Sequence, residues 1–203
     1  MGLTMKLLHV SDLHFNQVQM LWVTDNASEA DVVCLTGDFI DSRYNCPTPI
    51  DEQVAVISCW LKQFNRPIFV CSGNHDQLGD ELNSTWLREI EGIYADQAIA
   101  SINGVIFGSA SYGTSDFTPF SRCNVLLHHE PPSGLSVAKQ SGRDFGSRDL
   151  TTAIKSGTLS LAWLLTGHVH QPEKCASKFR GCSISNPGAN SKSEVPNHHW
   201  IRI

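Results

Sequence analysis

The chain has 203 residues, with 15 Lys and Arg against 20 Asp and Glu, a net charge of −5 and 41% hydrophobic residues. At ~150 residues per domain this reads as one domain spanning residues 1–203, long enough to bury a core without disulfide or metal staples. The balance excludes a disordered or fibrous chain and a strongly basic nucleic-acid binder, and no apolar run approaches the ~20 residues of a membrane span. The N-terminus has no secretory pattern. The seven cysteines form no Cys-x-x-Cys pair, and Cys34, Cys59, Cys71 and Cys123 sit in or beside apolar runs, so they read as reduced thiols of a cytoplasmic protein.

In chain order, residues 6–11 form a short apolar run that predicts a strand. Residues 16–29 predict a helix with Val18, Leu21 and Trp22 at helical spacing. Residues 32–36 predict a second strand. Residues 51–64 predict a helix with Val54, Ile57, Trp60, Leu61 and Phe64 on one stripe, and residues 68–72 a third strand. Continuously apolar strands alternating with helices point to a parallel sheet covered on both faces, hence an α/β protein. Further on, residues 98–102 and 105–109 flank Asn103-Gly104, a hairpin signal. Residues 125–127 and 161–165 predict buried strands, and residues 173–185 and 198–203 a terminal antiparallel group. The stretches 110–122 and 130–146 are irregular, and irregular loops of that length are often functional.

Five segments place metal-competent side chains directly after an apolar run: Asp12-Leu13-His14, Gly37-Asp38, Gly73-Asn74-His75-Asp76, His128-His129 and Gly167-His168-Val169-His170. Each alone is an ordinary turn, cap or strand end. Ligands of open α/β sheets bind beyond the carboxyl ends of the strands, so all five can converge on one edge. Carboxylate, amide and imidazole donors without thiolate suit Mn²⁺, Fe or Zn²⁺.

This ordered set resembles the calcineurin-like metallophosphoesterases, and Asn186-Pro187-Gly188 resembles that family's closing turn. The resemblance implies a four-layer α/β/β/α sandwich with two mixed central sheets and no cap domain. It implies two divalent ions, Mn²⁺ first among Mn²⁺, Fe, Zn²⁺ and Ni²⁺. Asp12, His14 and His170 would hold one ion, Asn74, His128 and His168 the other, and Asp38 would bridge both. His128 directly ends its apolar run, but a strand one residue longer would make His129 the ligand, because a one-residue shift changes face. Catalysis would be in-line attack on phosphorus by a hydroxide between the ions, with His75 as general acid and Asp76 orienting it. His9 reads as a packed histidine, and His198 and His199 have no assigned role.

The substrate is less marked. The segment Gly37-Asp38-Phe39-Ile40-Asp41-Ser42-Arg43 departs from the Gly-Asp-x-x-Asp-Arg-Gly of the family's protein phosphatases. The chain is closer to the small bacterial phosphodiesterases, with their cyclic-nucleotide esterases and nucleases. A phosphodiester substrate, either a single nucleic-acid strand or a cyclic nucleotide, is therefore expected, with no membrane and no obligate protein partner. Phosphate-contacting candidates are Arg43, Arg143 and Arg148, with Arg122 and Lys139 in neighbouring loops. Base-stacking candidates are Phe15, Tyr44, Tyr112 and Phe117. The alternatives are a phosphomonoesterase and a non-catalytic protein-binding scaffold, which would have no need of His75.

Overall fold

The structure, a computed structural model, describes residues 4–44, 46–78 and 86–203. Two mixed sheets stack face to face. The first has the order β12-β1-β2-β3, built from β1 (Lys6–Val10), β2 (Val32–Thr36), β3 (Ile68–Cys71) and β12 (His198–Arg202). Strands β1, β2 and β3 are parallel, and β12 closes the edge antiparallel to β1. The helices α1 (Gln17–Asn26) and α2 (Ile50–Leu61) follow β1 and β2 as the crossovers that parallel strands require.

The second sheet has the order β10-β11-β9-β6-β5-β4: β4 (Ile99–Ile102), β5 (Val105–Ala110), β6 (Val125–His128), β9 (Trp163–Leu165), β10 (Ala176–Phe179) and β11 (Cys182–Ser185). A two-stranded hairpin, β7 (Lys139–Gln140) and β8 (Arg143–Asp144), and helix α3 (Arg148–Ser156) precede β9. The helix is capped at Ser147, whose hydroxyl accepts from Leu150 N, and it ends at Gly157 in the left-handed region.

Three apolar layers hold this together. Leu8, Val10, Val33, Leu35, Ile68 and Val70 pack on the side of α1 and α2. Leu7, Val32, Cys34, Phe69, Cys71, Phe107, Val125, Leu127 and Leu165 form the layer between the sheets. Leu126, Leu164 and Ile184 face Leu150 and Ile154 of α3. Side chains alternate between these layers because a strand has a period of two. The result is the expected α/β/β/α sandwich.

The structure corrects two details of the sequence reading. The inner face of α1 is Gln19, Met20 and Val23, while Val18 and Leu21 are 55% and 59% exposed. The C-terminal strands do not form one group: β10 and β11 pair in the second sheet and β12 in the first. The helix stripe of α2 matches, with Ile57, Trp60 and Leu61 buried. No helix among the described residues is long and apolar enough to cross a membrane.

The stacked rings of Phe69 and Phe107, 4.8 Å between centroids, lock the two sheets at the centre of the middle layer. Phe107→Ala should therefore cost about 3–5 kcal/mol of unfolding free energy. Equilibrium denaturation checks this, and a cost below about 1 kcal/mol would mean that the inter-sheet layer is not the close-packed centre described.

Candidate metal centre

The middle layer changes character along the strands. It is apolar at their amino ends and polar at their carboxyl ends, where His9, Ser109, Thr36 and Ser185 are all buried. His9 bridges the sheets: Nδ1 meets Ser185 Oγ at 2.8 Å and Nε2 meets Thr36 Oγ1 at 2.9 Å. It is the packed histidine that the sequence suggests. Ser185 also meets His199 Nδ1 at 2.7 Å. The chain then leaves the strands in tight, left-handed turns. Asp12, His14, Phe15, Asp38 and His168 all have positive φ, a costly conformation for non-glycine residues that persists only where surroundings enforce it.

The enforcing contacts are specific. Asp76, fully buried, accepts four backbone N–H groups: Asp38 at 2.8 Å, Phe39 at 2.8 Å, Ile40 at 3.1 Å and Gly73 at 2.8 Å. It fastens the loop after β2 to the loop after β3. Burial and the Asp38 charge push its pKa up to about 7, and the N–H donors pull it the other way. The two loops touch so closely that a Cβ on Gly73 would overlap Asp38 Oδ1, and one on Gly167 would overlap Ser11 Oγ. The sheets are joined here by His168 N, which donates to both carboxylate oxygens of Asp12 at 3.1 Å.

Two groups of donor atoms face each other across Asp38. In the first, donor atoms of Asp12, His14, Asp38 and His170 all lie within 4.8 Å of one another. His14 Nε2 is 3.0 Å from His170 Nε2, and His170 Nε2 is 3.5 Å from Asp12 Oδ1. In the second, Asn74 Oδ1 is 2.8 Å from His168 Nδ1 and 3.2 Å from His129 Nε2. Asp38 Oδ2 stands 3.7 Å from His14 Nε2 and 3.3 Å from His129 Nε2.

The structure thus brings together Asp12, His14, Asp38, Asn74, His168 and His170 as expected, but corrects one histidine. His129, not His128, reaches the cluster. Strand alternation decides this. Val125 and Leu127 face the middle layer, Leu126 and His128 face the outer one, and His129 returns to the inner side. His128 lies edge-on to Phe117, with its Nε2 buried and, among the described residues, lacking a hydrogen-bond partner. Burial pushes its pKa down to about 4.

A second correction concerns Asp76, which touches backbone amides and not the His75 ring. The group that meets His75 Nδ1 is the Ser42 hydroxyl. His75 N donates to Asp38 Oδ1 at 2.9 Å, and its ring packs edge-on to His14 at 4.9 Å. Neither Asp76 as a partner of amides nor Ser42 as a partner of His75 carried a signal in residue spacing. Of the three arginines singled out, Arg43 lines a cavity with Asp12, His14, His75 and His170, its guanidinium held by Asp41 at 2.6 and 2.7 Å. Arg143 in β8 and Arg148 at the start of α3 line neither cavity at the cluster.

The cluster's electrostatics suit cations. Among the described residues, the ion-pair partners of Asp12 and Asp38 are all histidines. Burial works to raise both carboxylates, yet both titrate below the usual range, Asp12 through its hydrogen bond to His170 and Asp38 through the charge on His129. For His129, burial works downward, and the Asp38 charge overcomes it and lifts the pKa to about 10. Burial, then the charge on His129, pushes His168 down to about 4. His129 Nδ1 is 2.7 Å from the carbonyl of Thr36, which fixes a proton there and leaves Nε2 aimed at Asp38 and Asn74, as a metal-binding imidazole requires. The donors fit hard-to-borderline divalent ions, and no cysteine joins them; all seven cysteines are free thiols.

Carboxylates and imidazoles gathered at the carboxyl edge of two stacked α/β sheets form a cluster that could hold divalent metal ions. The chain belongs to the calcineurin-like phosphoesterase family, whose model matches residues 5–172. It is 23% identical over 229 residues to the DNA double-strand break repair protein Mre11 of Archaeoglobus fulgidus, covering 94% of this chain and 51% of that protein. The chain thus spans about half the length of the curated relative it matches. Its fold is similar to that of TT1561 of Thermus thermophilus, with a TM-score of 0.64, 12% identity and coverage of 97% of this chain and 99% of the other. It is also similar to that of a protein described as a novel archaeal phosphodiesterase, with a TM-score of 0.51, 16% identity and coverage of 98% and 100%.

His129→Ala should weaken divalent-ion binding by more than the roughly 10–100-fold that loss of an outer partner costs, whereas His128→Leu should leave it unchanged. His128→Leu should act on stability instead. With a folded pKa of about 4 against 6.5 unfolded, His128 takes up its proton more readily when unfolded. Its contribution is complete above pH 6.5 and declines as pH falls towards 4, by about 3 kcal/mol in all, and the leucine variant should lack that decline. Ion titration and denaturation at several pH values check both; a loss of ion binding in His128→Leu would contradict the assignment.

Proposed function

We propose that this chain is a binuclear metal-dependent phosphodiesterase that hydrolyses nucleic-acid or nucleotide phosphodiesters. The observation that carries the reading is the shared Asp38, whose Oδ2 lies 3.7 Å from one donor group's His14 and 3.3 Å from the other's His129. Asp12, His14 and His170 would hold one ion and Asn74, His129 and His168 the other, with Mn²⁺ first among the candidates. Bound there, divalent ions supply Lewis-acid polarisation of a phosphoryl oxygen and a water-derived nucleophile at neutral pH.

The protein's own residues do the rest. His75 lines both cavities beside the cluster. Ser42 occupies its Nδ1, which leaves Nε2 to hold a proton and deliver it to the departing ester oxygen. Arg43, fixed by Asp41, offers its remaining N–H groups to a phosphate oxygen. Asp76 and Gly73 keep the two loops in register so that these groups meet one phosphorus centre.

The diester reading, rather than a monoester one, rests on the two cavities flanking His75 and His170, one for each arm of the ester. Similarity to a protein named for DNA double-strand break repair supports a nucleic-acid or nucleotide substrate. The free thiols support a cytoplasmic setting. We treat the chain as one domain and propose no obligate protein partner. An intact donor set with His75 beside it disfavours a non-catalytic scaffold.

With Mn²⁺, the protein should hydrolyse bis-p-nitrophenyl phosphate faster than p-nitrophenyl phosphate, and Asp38→Ala should abolish both. His75→Ala should lose about 10²–10⁴-fold on thymidylyl-thymidine, whose leaving group is an alkoxide, and little on bis-p-nitrophenyl phosphate. Preference for the monoester would move the protein to phosphomonoesters. Equal losses on the two diesters would remove His75 as the proton donor.

A further inference from the structure

The two cavities beside His75 and His170 differ in chemistry. One, about 360 Å³, has the cationic side chains Arg43 and Lys192 in its wall, beside Asn190 and Ser191. The loop carrying the last three is tied to α1 by Gln19, which donates to the carbonyls of Asn190 at 2.8 Å and Ser193 at 2.7 Å. The other, about 260 Å³, lies over Asp38, Asn74 and His168 and has Phe145 and Gln140 in its wall. Phe145 is 42% exposed, and its ring stands edge-on to His168 with centroids 6.5 Å apart.

An apolar ring kept at the mouth of a cluster of carboxylates and imidazoles needs a reason, because nothing in the cluster's own chemistry calls for it. The segment is built, not loose. Phe145 N donates to Ala138 O at 2.9 Å. The neighbouring Asp144 carboxylate accepts from Ser133 Oγ at 3.0 Å, Gly134 N at 2.7 Å and Gly146 N at 3.0 Å. Gln140 Oε1 accepts from Gln171 N at 2.8 Å, which docks the hairpin against the loop after β9 that carries His170.

The aromatics singled out in the sequence do not fill this place. Phe15 packs against the core, Phe117 is buried against His128, and Tyr44 is fully exposed and lines neither cavity. Tyr112, 6.5 Å from His168 between centroids, lies outside both cavity walls.

We propose that Phe145 is the platform on which a nucleobase of the substrate stacks, so that the cleft selects diesters with a nucleoside on the Phe145 side. The proposal rests on the phosphodiesterase reading above and adds to it the residue that recognises the base. Stacking on an aromatic ring tolerates any base, because every base has a π-face. The cavity lined by Arg43 and Lys192 then takes the other arm, where a further phosphate would meet Lys192. Phe145 is a specificity residue; it contacts no reacting atom.

The test compares two diesters that share the p-nitrophenolate leaving group: thymidine 5′-(p-nitrophenyl phosphate) and methyl p-nitrophenyl phosphate. Phe145→Ala should lower kcat/KM on the thymidine ester roughly tenfold, mostly through KM, and leave the methyl ester unchanged. Phe145→Tyr should restore it. Equal effects on both esters, or none on the thymidine ester, would overturn the proposal. If the wild type turns over neither diester, the phosphodiesterase reading fails, and the platform is judged by titration. Thymidine 5′-monophosphate should bind Phe145→Ala roughly tenfold more weakly than wild type while inorganic phosphate binds both alike. Unchanged binding of the nucleotide would overturn it.

Discussion

Two buried carboxylates, Asp12 and Asp38, sit at the seam of the two sheets with imidazoles as their ion-pair partners. A desolvated carboxylate is costly unless opposite charge or hydrogen-bond donors surround it. Here the imidazoles outweigh the burial cost at both carboxylates, and divalent cations held among the same donors would bring still more positive charge to them. The rest of the rim follows from that constraint. Positive φ at Asp12, Asp38 and His168 turns the donors inward. Asp76 gathers the amides of two loops, and His168 N caps Asp12, so that each strained turn is held from outside.

The seam also explains why the sheets must stack as they do. Each contributes donors from strand ends, the first Asp12, His14, Asp38 and Asn74, the second His129, His168 and His170. The middle apolar layer, centred on Phe69 and Phe107, sets the spacing. His9, joined to Thr36 and Ser185, continues that layer in polar form towards the rim. Thr36 then passes the alignment on, because its carbonyl takes the Nδ1 side of His129. Packing, polar bridging and metal-competent donors form one graded structure along the strands.

Much of this was legible in the residues. Apolar runs ending in Asp12-x-His14, Gly37-Asp38, Gly73-Asn74 and Gly167-His168-x-His170 marked strand ends, and parallel strands share a carboxyl edge. Six of the seven metal-competent side chains lie where that logic puts them. The seventh shows the limit: in His128-His129 the choice depends on which neighbour shares the parity of Val125 and Leu127, and a short apolar run does not reveal its facing. The inner face of α1 escaped for a related reason, since Gln19 is buried for its hydrogen bonds to a distant loop and Val18 and Leu21 are left outside. The roles of Asp76, Ser42 and Phe145 arise from contacts between loops, which leave no periodic trace in sequence.

The central claim is that two cation positions share Asp38. Anomalous diffraction from Mn²⁺-loaded crystals, recorded at the manganese edge, tests it most directly. Two peaks are predicted, one enclosed by Asp12, His14 and His170, the other by Asn74, His129 and His168, with Asp38 touching both. A single peak, or a second peak at His128 or away from Asp38, would contradict the account.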